Sequence, residues 1–318
     1  MEEQRPARSE SVGEVESAEG GKIKNLGDRM KEHEKMVSST GRIDPSTPYV
    51  IRLDGHKFSK FTKAFKRPYD ERIHIAMIET AKELLTTFNP RVVYTCSDEI
   101  TMVFTAVNPK EGEEIEGDDQ DPRKLEQRKE RPFNFLLHSG KIQKIVSLTA
   151  AFASSCFAYH LRSLSYDPVT EADLLNHVQN SRPHFDSRVH NVPNNAEAYN
   201  NVYWRASYDF KRNSIAGLAQ HYFSHKELQG LNTTQMLEKL EKEKQIDWND
   251  CPDWYKWGAY VKKGSYHHVG KDRNGQEVMV VRHCPVVVKK PTEKLDETNI
   301  KFLLCKCLTP EETPSTQQ

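Results

Sequence analysis

The chain has 318 residues, with 46 Lys and Arg against 46 Asp and Glu, so its formal net charge is zero. That length holds one large domain or two modest ones, and balanced charge argues against a protein held to nucleic acid by bulk charge alone. The six cysteines show no framework spacing, which excludes a disulfide-stapled scaffold, and no apolar run is long enough to span a bilayer.

Residues 1–21 are rich in Glu, Ser and Gly and are expected to be a disordered acidic tail. They carry no signal-peptide apolar core, and their acids do not suit a mitochondrial presequence, so a cytoplasmic location is expected, with the nucleus as the alternative. Asn25 to Val37 reads as a short amphipathic helix with Leu26, Met30, His33 and Val37 on one face. Pro48 to Leu53 reads as a buried strand ending in Arg52-Leu53-Asp54-Gly55. Asp54 to Pro68 is a loop or short helix carrying Phe58, Phe61 and Phe65. Asp70 is placed to cap a helix running to Phe88, with Ile73, Met77, Ala81, Leu84, Leu85 and Phe88 in helical rhythm. Arg91 to Phe104 then reads as two strands around a tip at Ser97-Asp98-Glu99.

The span Asn108 to Arg131 is an acidic insertion, densest from Glu111 to Asp121. Setting it and the N-terminal tail aside leaves a basic body. Phe135 to Arg162 is expected to be one long helix, with Lys141 and Lys144 a turn apart. Phe185 to Val189 is a short strand, and Asn195 to Ser224 a helix around Trp204-Arg205. Thr233 to Lys244 is another helix. Trp254 to His268 and Glu277 to Lys289 read as hairpin strands around the turn signal Asn274-Gly275. Cys305-x-Cys307 lacks two further ligands at zinc-finger spacing and is expected to be apolar cysteine in a strand.

The order β-α-β-β-α-β is the split βαβ or ferredoxin-like arrangement, which polymerase palms use. The expected class is α+β: a palm-like core over 22–165 with the insertion near 108–131, followed by a helical and β-hairpin extension over 166–318. In that arrangement Asp54 and Asp98 become neighbours at one sheet edge. Two close carboxylates repel each other unless a cation neutralises them, and Mg²⁺ is the usual hard cation beside phosphates. The pair therefore suggests two-metal phosphoryl or nucleotidyl transfer. The Gly55 carbonyl is a third oxygen, with glycine letting the chain bend towards the ion, and Glu99 either binds metal or orients a ligand. His56, Lys57 and Ser59 could cradle a triphosphate or form a solvated loop. Asp70 reads as a cap before a catalyst, and Lys141 and Lys144 as phosphate partners or a solvated edge. Asp186, Arg188, Trp204, Arg205, Asp209, Lys211, Arg212 and Asn213 form a polar-aromatic group suited to a phosphate backbone and an unstacked base, or to structural roles with Trp204 in the core.

The segments LGDRMKEHE, IRLDGHKFSKFTKAFKRPYDERI, VVYTCSDEITMVF, KIQKIVSLTAAFASS, HFDSRVHNVP and VYWRASYDFKRNSIAGLAQHYF resemble, in order, those of the tRNA-His guanylyltransferase superfamily, the 3′-to-5′ nucleotide-adding enzymes. The resemblance covers roughly residues 25–225. It implies a palm-like fold, a homotetramer, two Mg²⁺ ions, tRNA as substrate, and ATP, GTP and other NTPs as co-substrates. It implies Asp54, Gly55 and Asp98 as metal ligands. It implies Asp54, Gly55, His56, Lys57, Phe58, Ser59, Ser97 and Asp98 as nucleotide-binding and Lys144 in activating the tRNA 5′ end; Arg67 and Asp70, flanking the helix start, are added to the expected nucleotide contacts, and Asp54, Asp98, Glu99 and Lys144 are the expected catalytic set. Lys141, Arg188, Arg205, Lys211, Arg212 and Asn213 are the expected tRNA contacts.

Several positions depart from the guanylyltransferase pattern. The usual Arg after Asp-Gly is His56, the usual His after the Phe is Ser59, the Lys before Pro68 is Arg67, and the Asn after it is Tyr69. The signature His-Ile-Asn-Asn-Leu-Tyr-Asn stands here as Lys211-Arg212-Asn213-Ser214-Ile215-Ala216-Gly217. That version is similar to the guanylyltransferase-like branch, which repairs truncated tRNA 5′ ends by templated addition. A non-templated tRNA-His guanylyltransferase and a non-catalytic tRNA-binding protein are the alternatives, and the intact acid pair argues against the second.

Overall fold

A computed structural model describes residues 41–107, 136–288 and 297–314. The helix expected at Asn25–Val37 and the acidic insertion lie outside them. The chain divides into a unit Met1–Gly41 and a compact unit Arg42–Gln318, and the elements below all belong to the larger. In chain order these are β1 (Tyr49–Gly55), α1 (Phe58–Phe61), α2 (Glu71–Phe88), β2 (Val92–Cys96), β3 (Glu99–Phe104), α3 (Ile142–Arg162), α4 (Ala172–Asn180), β4 (Phe185–Asn191) and α5 (Asn195–Trp204). A π-helical turn (Arg205–Phe210) leads into α6 (Lys211–Tyr222), α7 (His225–Leu228), α8 (Thr233–Lys244), α9 (Asp253–Trp257), β5 (Ala259–Lys271), β6 (Glu277–Val288) and α10 (Glu297–Leu304).

The strands form one six-stranded sheet in the order β4-β1-β3-β2-β5-β6, every pair antiparallel. The apolar runs of β1, β2 and β3 lack polar alternation because both sheet faces are covered. Ile51, Leu53, Val93, Ile100 and Met102 pack under α2 and α3, against Met77, Leu84, Leu85, Ala153 and Phe157. Val50, Val92, Tyr94 and Val103 point the other way, into Tyr199, Val202, Ala206, Phe210, Leu303 and Leu304. A third cluster, around Ile215, Leu218, Phe223, Leu240 and Trp248, holds α6 to α8 together.

α2 forms where the periodicity places it. The Asp70 carboxylate accepts the Arg72 amide at 3.0 Å and caps the first turn. Met77, Leu84 and Leu85 are essentially inaccessible, each contributing about 1.5–3 kcal/mol by burial. Asn89 closes the helix in the left-handed region, its amide bonding Leu85 O at 3.0 Å.

Four expected elements shift. The long helix starts at Ile142 rather than Phe135, because His138, Ser139 and Gly140 all adopt positive φ and break the turn ahead of it. The helix expected from Asn195 to Ser224 ends at Tyr222 and is interrupted by the π-helical turn. Trp254 to Trp257 is helical, so the hairpin strand begins at Ala259, and its loop is five residues, with Gly275 at φ 81°. Cys305 follows the end of α10 and Cys307 precedes the bridge between Leu308 and Gly264, so neither is in a strand.

Candidate active site

The site begins with strand register. β1 lies between β4 and β3, and Asp54 stands directly opposite Asp186 on one side and Glu99 on the other. Directly paired residues share a sheet face, so three carboxylates line up across three strands. Arg52, two residues before Asp54, shares that face. β2 and β3 join through the two residues Ser97 and Asp98, with Ser97 at φ 50°. That turn brings Asp98 beside Gly55, whose amide donates to Asp98 O at 3.0 Å.

Gly55 is required by packing, not by backbone bending as the sequence suggested. A Cβ there would lie 2.5 Å from the Phe58 ring and 2.9 Å from Asp98 Cβ. Phe58 is buried among Phe61, Phe157 and Phe185, which fixes the chain just after the acids.

Electrostatics separates the acids. Burial pushes the Asp98 carboxyl up; hydrogen bonds from its own amide and from Ser97 oppose this, and the charges of Asp54 and Glu99 add to the rise. Glu99 is held by two arginines. Its Oε2 accepts from Arg52 Nε at 3.2 Å and Arg205 at 2.6 Å, and its Oε1 accepts a second Arg52 nitrogen. Arg52 also reaches Asp54 Oδ2 at 3.3 Å, and Arg205 reaches Asp209 at 3.5 Å. Burial works against the charge on Arg52, and Glu99 followed by Asp54 outweigh it.

A cleft of about 270 Å³ opens from Ser97, Asp98 and Glu99 along Arg67 to Asp70. Its far end is aromatic: Tyr69 packs on Tyr255 at 4.6 Å, and His74 stacks on Trp254 at 4.3 Å with planes 7° apart. Burial lowers the pKa of His74 to about 4, so it is neutral at physiological pH.

Of the residues singled out from sequence, the structure gathers Asp54, Gly55, Ser97, Asp98 and Glu99, and places Arg67, Asp70 and Asn213 on the cleft. His56 and Lys57 are exposed just past the acids, with His56 stacked on His184 at 5.0 Å, and Ser59 is exposed on α1. The Asp70 carboxylate is committed, taking the Arg72 guanidinium at 2.9 and 2.8 Å while Arg72 also grips Glu171. Trp204 is 52% exposed rather than core. Arg205 is nearly buried in ion pairs, Lys211 lies 5.4 Å from the Trp257 ring centre, and Arg212 is exposed beside Asp209. Arg188 is exposed on the edge strand β4, 3.8 Å from Asp186.

Lys141 and Lys144 stand elsewhere. Lys141 bridges to Arg42, and Gly140 O accepts the Ile43 amide, at the Tyr49 end of β1. Further along α3, Ser154 Oγ accepts the Phe185 amide at the Gly55 end. Lys144 is three helical turns earlier, roughly 15 Å away along the axis.

Arg52, Trp254 and Tyr255 are the site residues that sequence reasoning missed. Arg52 had a signal: a charge inside an apolar strand, two residues before Asp54, must share its face. Among the described residues no group of three or more His, Cys, Asp or Glu side chains is arranged to hold a metal. Two carboxylates with a main-chain carbonyl still suit Mg²⁺, which keeps much of its own water. No described helix is long and apolar enough to cross a membrane.

A family model described as Thg1, tRNAHis guanylyltransferase, matches residues 27–193, more than half of the chain. An uncharacterized protein of Acanthamoeba polyphaga mimivirus is 31% identical over 242 residues, covering 75% of this chain and 77% of its own. The tRNA(His) guanylyltransferase of Candida glabrata is 25% identical over 255 residues, covering 75% and 92%. A solved bacterial tRNA(HIS) guanylyltransferase (Thg1)-like protein in complex with ATP superposes with a TM-score of 0.59 at 27% identity, covering 80% of this chain and 92% of its own. One in complex with GTP shares the fold, with a TM-score of 0.57 at 22% identity, over 87% and 98%.

Proposed function

The chain belongs to the tRNA-His guanylyltransferase family of tRNA nucleotidyltransferases, and from that premise we propose that it adds nucleotides in the 3′-to-5′ direction to truncated tRNA 5′ ends, directed by a template. The observation that carries this is the juxtaposition of Asp54 and Asp98, with Asp98 and its neighbours Ser97 and Glu99 opening onto a cleft whose lining includes Tyr69, Trp254 and Tyr255. The order β4-β1-β3-β2 supports a palm-like reading of the core.

The acids fit a hard divalent cation. Desolvation, then the neighbouring charges of Asp54 and Glu99, make an uncompensated Asp98 carboxylate costly, and a bound cation offsets that cost. Asp54, Asp98 and the Gly55 carbonyl would hold it, with Glu99 committed to Arg52 and Arg205. The chemistry a pair of Mg²⁺ ions supplies in such a site is activation of a hydroxyl and neutralisation of triphosphate charge. Arg67 on the cleft, with His56, Lys57 and Ser59 exposed just past the acids, would meet the phosphates. Tyr69 and Trp254, edge to face at 5.2 Å in the cleft lining, are the rings against which either purine would pack, which suits both ATP and GTP as activating nucleotides. Arg188, Arg212 and Asn213, exposed near the same face, meet the tRNA. With Ser214-Ile215-Ala216-Gly217 in place of the Asn-Leu-Tyr-Asn signature, nucleotide choice falls to pairing with the 3′ side of the acceptor stem.

The test is incubation with a non-His tRNA lacking its first base and all four NTPs. Addition of the nucleotide complementary to the opposing base is expected. If only tRNA-His gains a residue, always G, the chain is a non-templated guanylyltransferase instead. Asp98→Ala should abolish addition and leave tRNA binding within about threefold, since it removes a metal ligand and no RNA contact.

A further inference from the structure

We propose that Arg205 is a positioning residue for the metal-binding acids, acting through Glu99 and Arg52, and that the π-helical turn Arg205–Phe210 is what delivers it. The proposal rests on the reading of Asp54 and Asp98 as metal ligands.

Glu99 occupies the centre of a linear array, Arg205–Glu99–Arg52–Asp54. Arg205 and Arg52 both bond its Oε2, and Arg52 continues to Asp54 Oδ2 at 3.3 Å. The side chains of Arg205 and Glu99 are only 13% and 20% exposed, so the contact is stronger than a surface ion pair. A carboxylate gripped from two sides holds one orientation, and so fixes the guanidinium that borders Asp54. With Arg205 removed, Glu99 can turn towards the cation site and Arg52 can close on Asp54, competing for the oxygen a metal needs.

The backbone supports this. α5 and α6 run as one helical rod interrupted by a single six-residue π-helical turn. Such wide turns inside helices recur at functional sites. Here Ala206 and Phe210 stay packed on the sheet while Arg205 and Asp209, four residues apart, face the acids. Asp209 steadies Arg205 at 3.5 Å and in turn takes Arg212 at 2.9 Å, so the array ends at an exposed arginine on α6.

The experiment uses the full chain, with Mn²⁺ binding followed by electron paramagnetic resonance in the presence of a non-hydrolysable NTP, alongside steady-state addition. Arg205→Gln should weaken Mn²⁺ binding and lower kcat by roughly 10–100-fold, as loss of a ligand-orienting partner does, with KM for NTP changed less than about threefold. Arg205→Lys should recover part of both, and Glu99→Gln combined with Arg205→Gln should cost little more than either alone. Unchanged Mn²⁺ affinity and kcat in Arg205→Gln, with Asp98→Ala unable to bind Mn²⁺, would overturn the role of Arg205 and leave the metal site standing. Undiminished Mn²⁺ binding in Asp98→Ala would overturn the metal reading itself. Should Arg205→Gln fail to fold, Arg205→Lys and Glu99→Gln carry the same decision, because a merely structural role would shift the melting temperature without moving Mn²⁺ affinity.

Discussion

Single atoms decide the most at the acid pair. Gly55 tolerates no side chain, since its Cβ would meet both the buried Phe58 ring and Asp98. Gly55→Ala is therefore expected to destabilise by about 1–3 kcal/mol, as overpacking does, and to cut activity beyond what the folded fraction explains. Urea denaturation alongside kcat per folded molecule checks both. His74 adds a pH dependence. Its folded pKa of about 4 lies below the unfolded value, so its contribution is complete above about pH 6.5 and is lost as pH falls towards 4. Between about pH 7.5 and pH 5 the protein should lose about 2 kcal/mol from this group, and His74→Gln should show a correspondingly flatter acid limb in denaturation.

Among elements, one polar side chain ties the end of α10 to the sheet, beside the apolar packing of Leu303 and Leu304. Lys262, on β5, is fully buried and donates to the carbonyls of Arg91, Leu303 and Cys305, each at 3.0 Å. Burial pulls its pKa down to about 8, which still leaves the ammonium protonated at neutral pH. Lys262→Met would strip one buried and two part-buried carbonyl acceptors of their donor, so a loss of about 3 kcal/mol is expected. Hydrogen exchange should then show α10 opening first, before the sheet. Nothing in the sequence distinguishes this lysine from its neighbour Lys263, which bonds Asn89 at the surface. By contrast α2, with a capping Asp70 and an unbroken apolar rhythm ending near Phe88, was readable from its pattern. The start of α3 was not, because three left-handed residues in a row are a tertiary outcome.

For the molecule as a whole, the placement of Lys144 carries a consequence. It stands at the Tyr49 end of the sheet while the acids stand at the Gly55 end, so in one chain it does not reach them. If the chain works as the homotetramer its family resemblance implies, the lysine serving one pair of acids comes from another subunit. Lys144→Ala and Asp98→Ala chains, each inactive alone, should then regain addition when co-assembled. Sedimentation should give a mass four times that of one chain. Mixtures that stay inactive while assembling as tetramers would place Lys144 outside the reaction.

The strands β1 to β4, the helix α2, the two acid motifs and the cap at Asp70 are local patterns, and the sequence alone located them, whereas α4, α9 and α10 were not read as helices there. The pairing of Asp54 with Asp98 followed from the chain order of those strands once the strand arrangement was assumed. Tertiary structure alone decided which charges surround them. Arg205 arrives on a π-helical turn, Trp254 and Tyr255 close the cleft from late in the chain, and Asp186 joins the acid row through the register of an edge strand. Each of these depends on contacts between segments far apart in the chain, where periodicity carries no information, because packing and register are settled only when the whole sheet is assembled.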